Sequence, residues 1–182
     1  MKFETLRRTC LAALCILLAA SCAPAAAAVE VAFYSKEFGA SFPHAFITVK
    51  GSIDASGEKV DASYGFTAKS ISPGLLMHAV PGEIVPSSPA YIAHSNRHFA
   101  LTLSDAEYAA LLATVDKWRT HKQPSYDLNR RNCVFFVADL AATLGLKADT
   151  PKALMKKPRS YLRSLVAANR PLLAGRDARI DD

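Results

Sequence analysis

The chain has 182 residues, of which 51% are hydrophobic, and its 22 Lys and Arg outnumber 16 Asp and Glu, which gives a formal net charge of +6. A chain of this length, less a leader, suits one compact domain with its own core, so we expect no second domain. The basic excess is mild and no basic stripe is interleaved with aromatic residues, which argues against a nucleic-acid partner.

The first 28 residues have the three-part layout of a bacterial secretory signal: basic side chains, an apolar run over 11–20, then small residues. The apolar run is shorter than the roughly 20 residues that a transmembrane helix needs. We therefore predict cleavage before Val29 and a periplasmic or secreted domain over 29–182 without a transmembrane helix. The alternative is that "LAASC" acts as a lipobox, which would make Cys22 the lipid anchor of a lipoprotein.

The predicted cleavage decides which cysteines the exported domain contains. Cys10, Cys15 and Cys22 leave with the leader, and only Cys133 stays. No intramolecular disulfide is then possible. An unpaired thiol in an exported chain is either a reactive group or a small buried hydrophobe.

Strands are predicted first along the domain, in segments rich in β-branched and aromatic residues. The turn-forming "IDASGE" joins two of them, so 44–66 is predicted to be a β-hairpin. The Pro- and Gly-rich "SPGLLMHAVPGEIVPSSP" predicts a covering loop with a short strand around 83–85. The four strand segments are 29–35, 44–51, 59–66 and 97–103.

Helices follow. Ser104 and Glu107 form a capping-box pattern ahead of apolar residues at helical spacing, which predicts a helix over 104–119. A second helix is predicted from Cys133, with Asn132 as its N-cap and Gly145 at its end. These elements predict an α+β fold, an antiparallel sheet packed against helices, with a core over about 30–146.

The segment 147–182 is predicted to be helical over 159–169 and carries nine Lys or Arg against four Asp. This excess indicates attraction to an anionic surface, such as cell wall or lipid headgroups, or simply a solvated basic tail.

Cys133 at the first position of a helix lies where free N–H groups and the helix dipole stabilise a thiolate, so we predict a lowered thiol pKa. A thiolate nucleophile needs a base, and His44, at the start of a strand, is the best placed. The remaining histidines are better explained as surface or core residues, and none has metal-ligand spacing, so neither a metal nor a cofactor is predicted. They are His78, His94, His98 and His121.

"FPHAFITVKG", "ASYGF", "PGLL…PGE", "RHFALTLSDAEY" and the Tyr126-x-Leu-x-x-x-Asn-Cys spacing together resemble the circularly permuted branch of the papain-like, NlpC-type superfamily. The layout is nearest to periplasmic domains of the Lnb N-terminal type and more distantly similar to lecithin:retinol acyltransferase-like proteins. The resemblance covers roughly 30–146.

This resemblance implies that the catalytic His comes from an early strand and the Cys from the start of a later helix, which His44 and Cys133 match. It also implies a third polar residue on the next strand, where alternation favours Ser63. Tyr64 would donate to an oxyanion or pack in the core. Asn132 would cap the helix while the N–H of Cys133 contributes to an oxyanion hole.

The predicted function is an exported thiol amidase or peptidase, with cell-wall peptides as the implied substrate. One alternative is a lipid acyltransferase or esterase of the same superfamily, in which Leu75, Leu76 and Met77 would form an apolar lid. Another is a non-catalytic binding domain. Catalysis requires the thiol and the imidazole to lie roughly 3 to 4 Å apart.

Overall fold

The computed structural model of the protein describes residues 28–37 and 42–181. Residues 1–27 of the predicted leader, with its three cysteines and among them the alternative anchor Cys22, lie outside the described residues. Six strands are described: β1 (Val29–Lys36), β2 (His44–Ser52), β3 (Lys59–Ala68), β4 (Gly82–Val85), β5 (Asn96–Leu103) and β6 (Arg179–Ile180). The helices are α1 (Pro89–Ala93), α2 (Asp105–Arg119), α3 (Cys133–Thr143) and α4 (Pro158–Gly175), with a 3-10 helix over Pro73–Leu76.

The strands form one antiparallel sheet in the order β4-β3-β2-β1-β5-β6. The predicted α+β class and antiparallel sheet are thus confirmed. β2 lies near the middle of the sheet, between β1 and β3, so the strand that begins with His44 is supported on both sides.

The β2–β3 hairpin is confirmed, with pairs running from Phe46 opposite Gly65 to Ser52 opposite Lys59. The hairpin pairing ends at Phe46, so His44 and Ala45 lie beyond its last pair. β1 still pairs with both residues from the other side. The two hairpin strands therefore part at the beginning of β2, where the site described below is located.

The two faces of the sheet differ in what covers them. Ala45 and Ile47 are fully buried in the main core, to which α2, α3 and α4 contribute. On the opposite face, Phe46 stacks on Tyr34 and contacts Tyr91 of α1 at a centroid distance of 5.6 Å. Successive β2 residues alternate between these faces because side chains in a strand alternate.

The capping box of α2 is present, with Ser104 and Glu107 exchanging hydrogen bonds. Its last turn carries Trp118, whose ring meets Phe66 edge-on at 4.9 Å and whose Nε1–H donates to Asp139 of α3 at 2.9 Å. These contacts fix α3 relative to β3 and hence the position of its N-terminus.

The C-terminal segment belongs to the same core as the sheet. Leu162, Leu165 and Leu173 of α4 are buried, and the amide of Asn169 bonds both the N–H and the C=O of Lys147. After α4 the chain returns to the sheet as β6, which pairs with β5. Three of the nine basic residues of this segment, Arg159, Arg163 and Arg170, therefore lie on a packed helix.

Candidate active site

Cys133 is the first residue of α3, as predicted. Asn132 is extended, and its Oδ1 accepts hydrogen bonds from the N–H groups of Val134 at 2.8 Å and Phe135 at 3.4 Å. Its Nδ2 donates to the carbonyl oxygens of Leu128 and Met155. Asn132 thus caps α3, and it also ties the two flanking loops to the residue before the cysteine.

The Cys133 thiol is buried against the start of β2. The backbone N–H groups of Ala45, Val134 and Cys133 itself lie within hydrogen-bonding reach of its sulfur. Burial nevertheless raises the pKa of Cys133 to about 11, because the free energy lost on removing a thiolate from water exceeds the free energy gained from these hydrogen bonds. The direction is opposite to the predicted one, and the thiol is neutral at pH 7.

His44 begins β2 and is half-buried, with its ring stacked on Phe46 at 6.1 Å and 13° between planes. A Cβ at residue 65 would lie 2.5 Å from Nε2 of His44 and 3.2 Å from Cβ of Phe46, so only glycine leaves room for the imidazole there. Burial lowers the pKa of His44 to about 4. The imidazole is therefore neutral at pH 7 and able to accept a proton.

The two candidate residues line adjoining cavities. Cys133 lines a cavity of about 490 Å³ and His44 one of about 280 Å³. Within residues 28–37 and 42–181, no hydrogen bond joins the thiol to the imidazole. The sulfur meets the backbone of Ala45 on the core face of the sheet. The ring of His44 lies with Phe46 over Gly65 on the opposite face, because residues 44 and 46 of a strand point the same way and residue 45 points the other way. Five residues line both cavities: Phe42, Pro43, Thr67, Ile71 and Tyr126.

The predicted third residue is not brought to the imidazole. Ser63 lies opposite Thr48, and its hydroxyl accepts a hydrogen bond from the N–H of Ser87 at 2.8 Å, which anchors the segment after β4. Tyr64 lies opposite Ile47 and packs against the main core, as its packing alternative predicted. Gly65, two residues beyond Ser63 on the same face of β3, is the residue that packs against the ring of His44.

Tyr126 is a site residue to which sequence reasoning gave no role. Its backbone pairs with Val80 through two 2.9 Å hydrogen bonds, and its ring packs on Phe66. Burial, followed by the neighbouring Cys133, raises the pKa of the Tyr126 phenol. The spacing of Tyr126 ahead of Asn132 and Cys133 was the one sequence feature that pointed to it. Only the fold shows that Tyr126 lines both cavities.

The other histidines are placed as expected. His98 is buried with its Nε2 2.8 Å from Oγ of Ser35, whereas His78, His94 and His121 are exposed. Over the described part of the chain, no group of three or more His, Cys, Asp and Glu residues could hold a metal ion.

Comparison with models of protein families, with curated proteins and with solved structures gives no match for this chain. None of the helices described is long and apolar enough to cross a bilayer.

Gly65→Ala is expected to displace the imidazole of His44, since the added methyl group would overlap Nε2. The ring can rotate away because it is the free end of a side chain, and it would then leave its buried position over residue 65 and become more exposed to water. We expect the pKa of His44 to rise from about 4 towards its ordinary value of about 6.5, as followed by an NMR titration of the imidazole. Gly175→Ala, where a Cβ meets open space, is the matched control. An unchanged pKa of His44 in Gly65→Ala would show that this niche does not position the ring.

Proposed function

We propose that the protein is an exported cysteine hydrolase in which Cys133 is the nucleophile and His44 the general base. The observation that carries the proposal is the position of the Cys133 sulfur. It lies at the start of a helix, at the end of a cavity, and against the backbone of the residue that follows His44. A thiol at a helix start beside backbone donors is one part of the usual arrangement for acyl transfer through a thiol, and a histidine that can reach it is the other.

Both groups are neutral at pH 7, so the thiol would lose its proton during attack and not before it. The sulfur adds to the substrate carbonyl carbon while the imidazole of His44 accepts the thiol proton. This step requires the imidazole to approach the sulfur from its niche over Gly65, directly or through one water molecule. Because the ring of His44 lies on the face opposite Ala45, it would have to pass around the beginning of β2, beyond the last pair with β3, to reach the sulfur.

The negative charge would develop on the carbonyl oxygen. Val134 N–H is already bonded to Asn132, whereas the N–H groups of Ala45 and Cys133 lie beside the sulfur and would turn to the oxyanion once the carbonyl carbon has bonded to the sulfur. The carbon–nitrogen or carbon–oxygen bond then breaks, and the leaving group takes the proton from His44. Water, deprotonated by the same imidazole, cleaves the thioester and restores the thiol.

The order of these residues supports a permuted papain-like arrangement as the finer description of the fold. His44 comes from an early, central strand and Cys133 from the start of a later helix that packs on that strand. We propose the superfamily resemblance on this order and on the sequence motifs together.

The cavity beside Cys133 favours a substrate with an apolar acyl group. Its volume of about 490 Å³ lies within the range of small-molecule sites. A lipid or other acyl ester would fill this cavity better than a polar cell-wall peptide, which remains the alternative substrate. Most of the side chains that line it are apolar, among them Phe42, Ile71, Leu75, Leu76, Leu128 and Met155.

A panel of p-nitrophenyl esters of increasing chain length, with muropeptides in parallel, tests this function. We expect kcat/KM to rise with the length of the acyl chain until the cavity is filled, because each buried methylene contributes about 0.8 kcal/mol. Faster cleavage of muropeptides would favour the amidase. Inertness towards both would favour a non-catalytic binding domain. Two observations support that alternative: the thiol is buried and neutral, and no hydrogen bond joins it to the imidazole within the described residues.

A further inference from the structure

The mouth of the Cys133 cavity carries an unusual concentration of exposed apolar side chains. Five large hydrophobic residues are well exposed across the described residues, and three of them line this cavity: Phe42, Ile71 and Leu76. A fourth, Met77, follows Leu76 directly, and these two side chains are 84% and 78% exposed, respectively. We call Phe42, Ile71, Leu76 and Met77 the apolar rim. Single exposed hydrophobic residues are normal, but a cluster around one cavity marks an interaction surface.

Three lysines lie beside the apolar rim. Lys156 lines the cavity, the exposed Lys157 follows it, and the exposed Lys69 lies two residues before Ile71. No acidic residue is among the described residues that line this cavity. Large apolar side chains flanked by lysines are the composition that binds anionic lipid surfaces, where the hydrophobic groups enter the acyl boundary and the ammonium groups meet the headgroups.

We propose that the apolar rim docks onto an anionic phospholipid bilayer and opens the Cys133 cavity towards the acyl chains. The proposal rests on the proposed function in taking that cavity as the substrate site. A bilayer fits better than a protein partner because Leu76, which ends a short 3-10 helix, and Met77, which caps it, are the most exposed of the large hydrophobic residues described, and adjacent exposed apolar side chains suit insertion into a fluid interface. The occupant is thus a lipid surface, and the geometry delivers an acyl group to the thiol.

Cosedimentation of the mature protein with vesicles, without any substrate, tests the docking surface. We expect binding to phosphatidylglycerol vesicles, weaker binding to phosphatidylcholine vesicles, and a loss of binding in high salt. Leu76→Ser combined with Met77→Ser should weaken binding by about tenfold or more, since two inserted side chains are lost. Lys156→Glu combined with Lys157→Glu should weaken binding to the anionic vesicles only.

Leu172→Ser is the matched control, because Leu172 is the fifth of the exposed large hydrophobic residues among those described and lines neither the Cys133 cavity nor the His44 cavity. Absence of vesicle binding, or an equal loss in the control, would overturn the docking surface. Self-association that the Leu76 and Met77 changes abolish would assign the rim to a second copy and overturn it too. The readout involves no turnover, so failure here is distinct from failure of the hydrolase, which soluble short-chain esters report separately.

Discussion

His44→Ala is expected to lower kcat/KM for ester cleavage by about 10²- to 10⁴-fold, the usual contribution of a general base. The effect is expected to be large because burial holds Cys133 as a neutral thiol at pH 7, so an attack without a proton acceptor starts from the protonated nucleophile. Steady-state rates for a short-chain ester measure it. His78→Ala, which removes an exposed histidine, is the control and should keep full activity.

The same base predicts the acid limb of the pH profile. A protonated imidazole cannot accept the thiol proton, so activity should fall as the pH drops through about 4 and stay level from there to neutral pH. An acid limb centred near the ordinary histidine value of about 6.5 would show that the buried imidazole is not the base.

Acid should also destabilise the fold through His44. Its pKa is about 4 in the folded protein and about 6.5 when the chain is unfolded, so the unfolded state binds the proton more tightly. The contribution to stability is fully present above pH 6.5 and is lost as the pH falls through 4. It amounts to about 3 kcal/mol between pH 7 and pH 4.

Urea denaturation of the wild type and of His44→Asn at both pH values measures this loss. We expect the variant to lose about 3 kcal/mol less on acidification, since asparagine does not titrate. The exposed His121 gives the control variant His121→Asn, which should behave as the wild type does. Equal acid sensitivity of His44→Asn and the wild type would mean that His44 is solvated in the folded state.

Most of the fold could be predicted because its signals are local. The hairpin was visible in the alternation on both sides of "IDASGE", and α2 and α3 were marked by caps at Ser104 and Asn132 that the structure contains. β6 has only two residues and exists through its pairing with β5, a contact that no local pattern encodes.

The helix α1 was missed for an instructive reason. Pro89 lies in a segment that its prolines predict to be a loop. In the structure this proline occupies the first turn of α1, where a backbone N–H has no partner within the helix, so the missing N–H of proline costs nothing. Ser88 caps that helix by accepting from Tyr91. Proline therefore begins a helix at this position, and composition alone does not distinguish a proline that begins a helix from one that lies in a loop.

The site was predictable in its residue types but not in its electrostatics. The cap and the helix start fixed the position of Cys133, but the sign of its pKa shift depends on how deeply the sulfur is buried in the core between sheet and helices. That burial outweighs the opposing hydrogen bond from the N–H of Ala45, more than 80 residues away along the chain. Gly65 and Tyr126 likewise gain their roles from neighbours across the sheet. Their chemistry follows from tertiary contacts.

The proposal that Cys133 is a nucleophile assisted by His44 is tested most directly by the mass of an acyl-enzyme. The protein is incubated with p-nitrophenyl octanoate, quenched in acid and measured intact, and the modified residue is located by peptide mapping. We predict one octanoyl group on Cys133 in the wild type, none in Cys133→Ala, and accumulation slowed by about 10²-fold or more in His44→Ala. An unmodified Cys133, or acylation at the same rate in wild type and His44→Ala, would contradict the account.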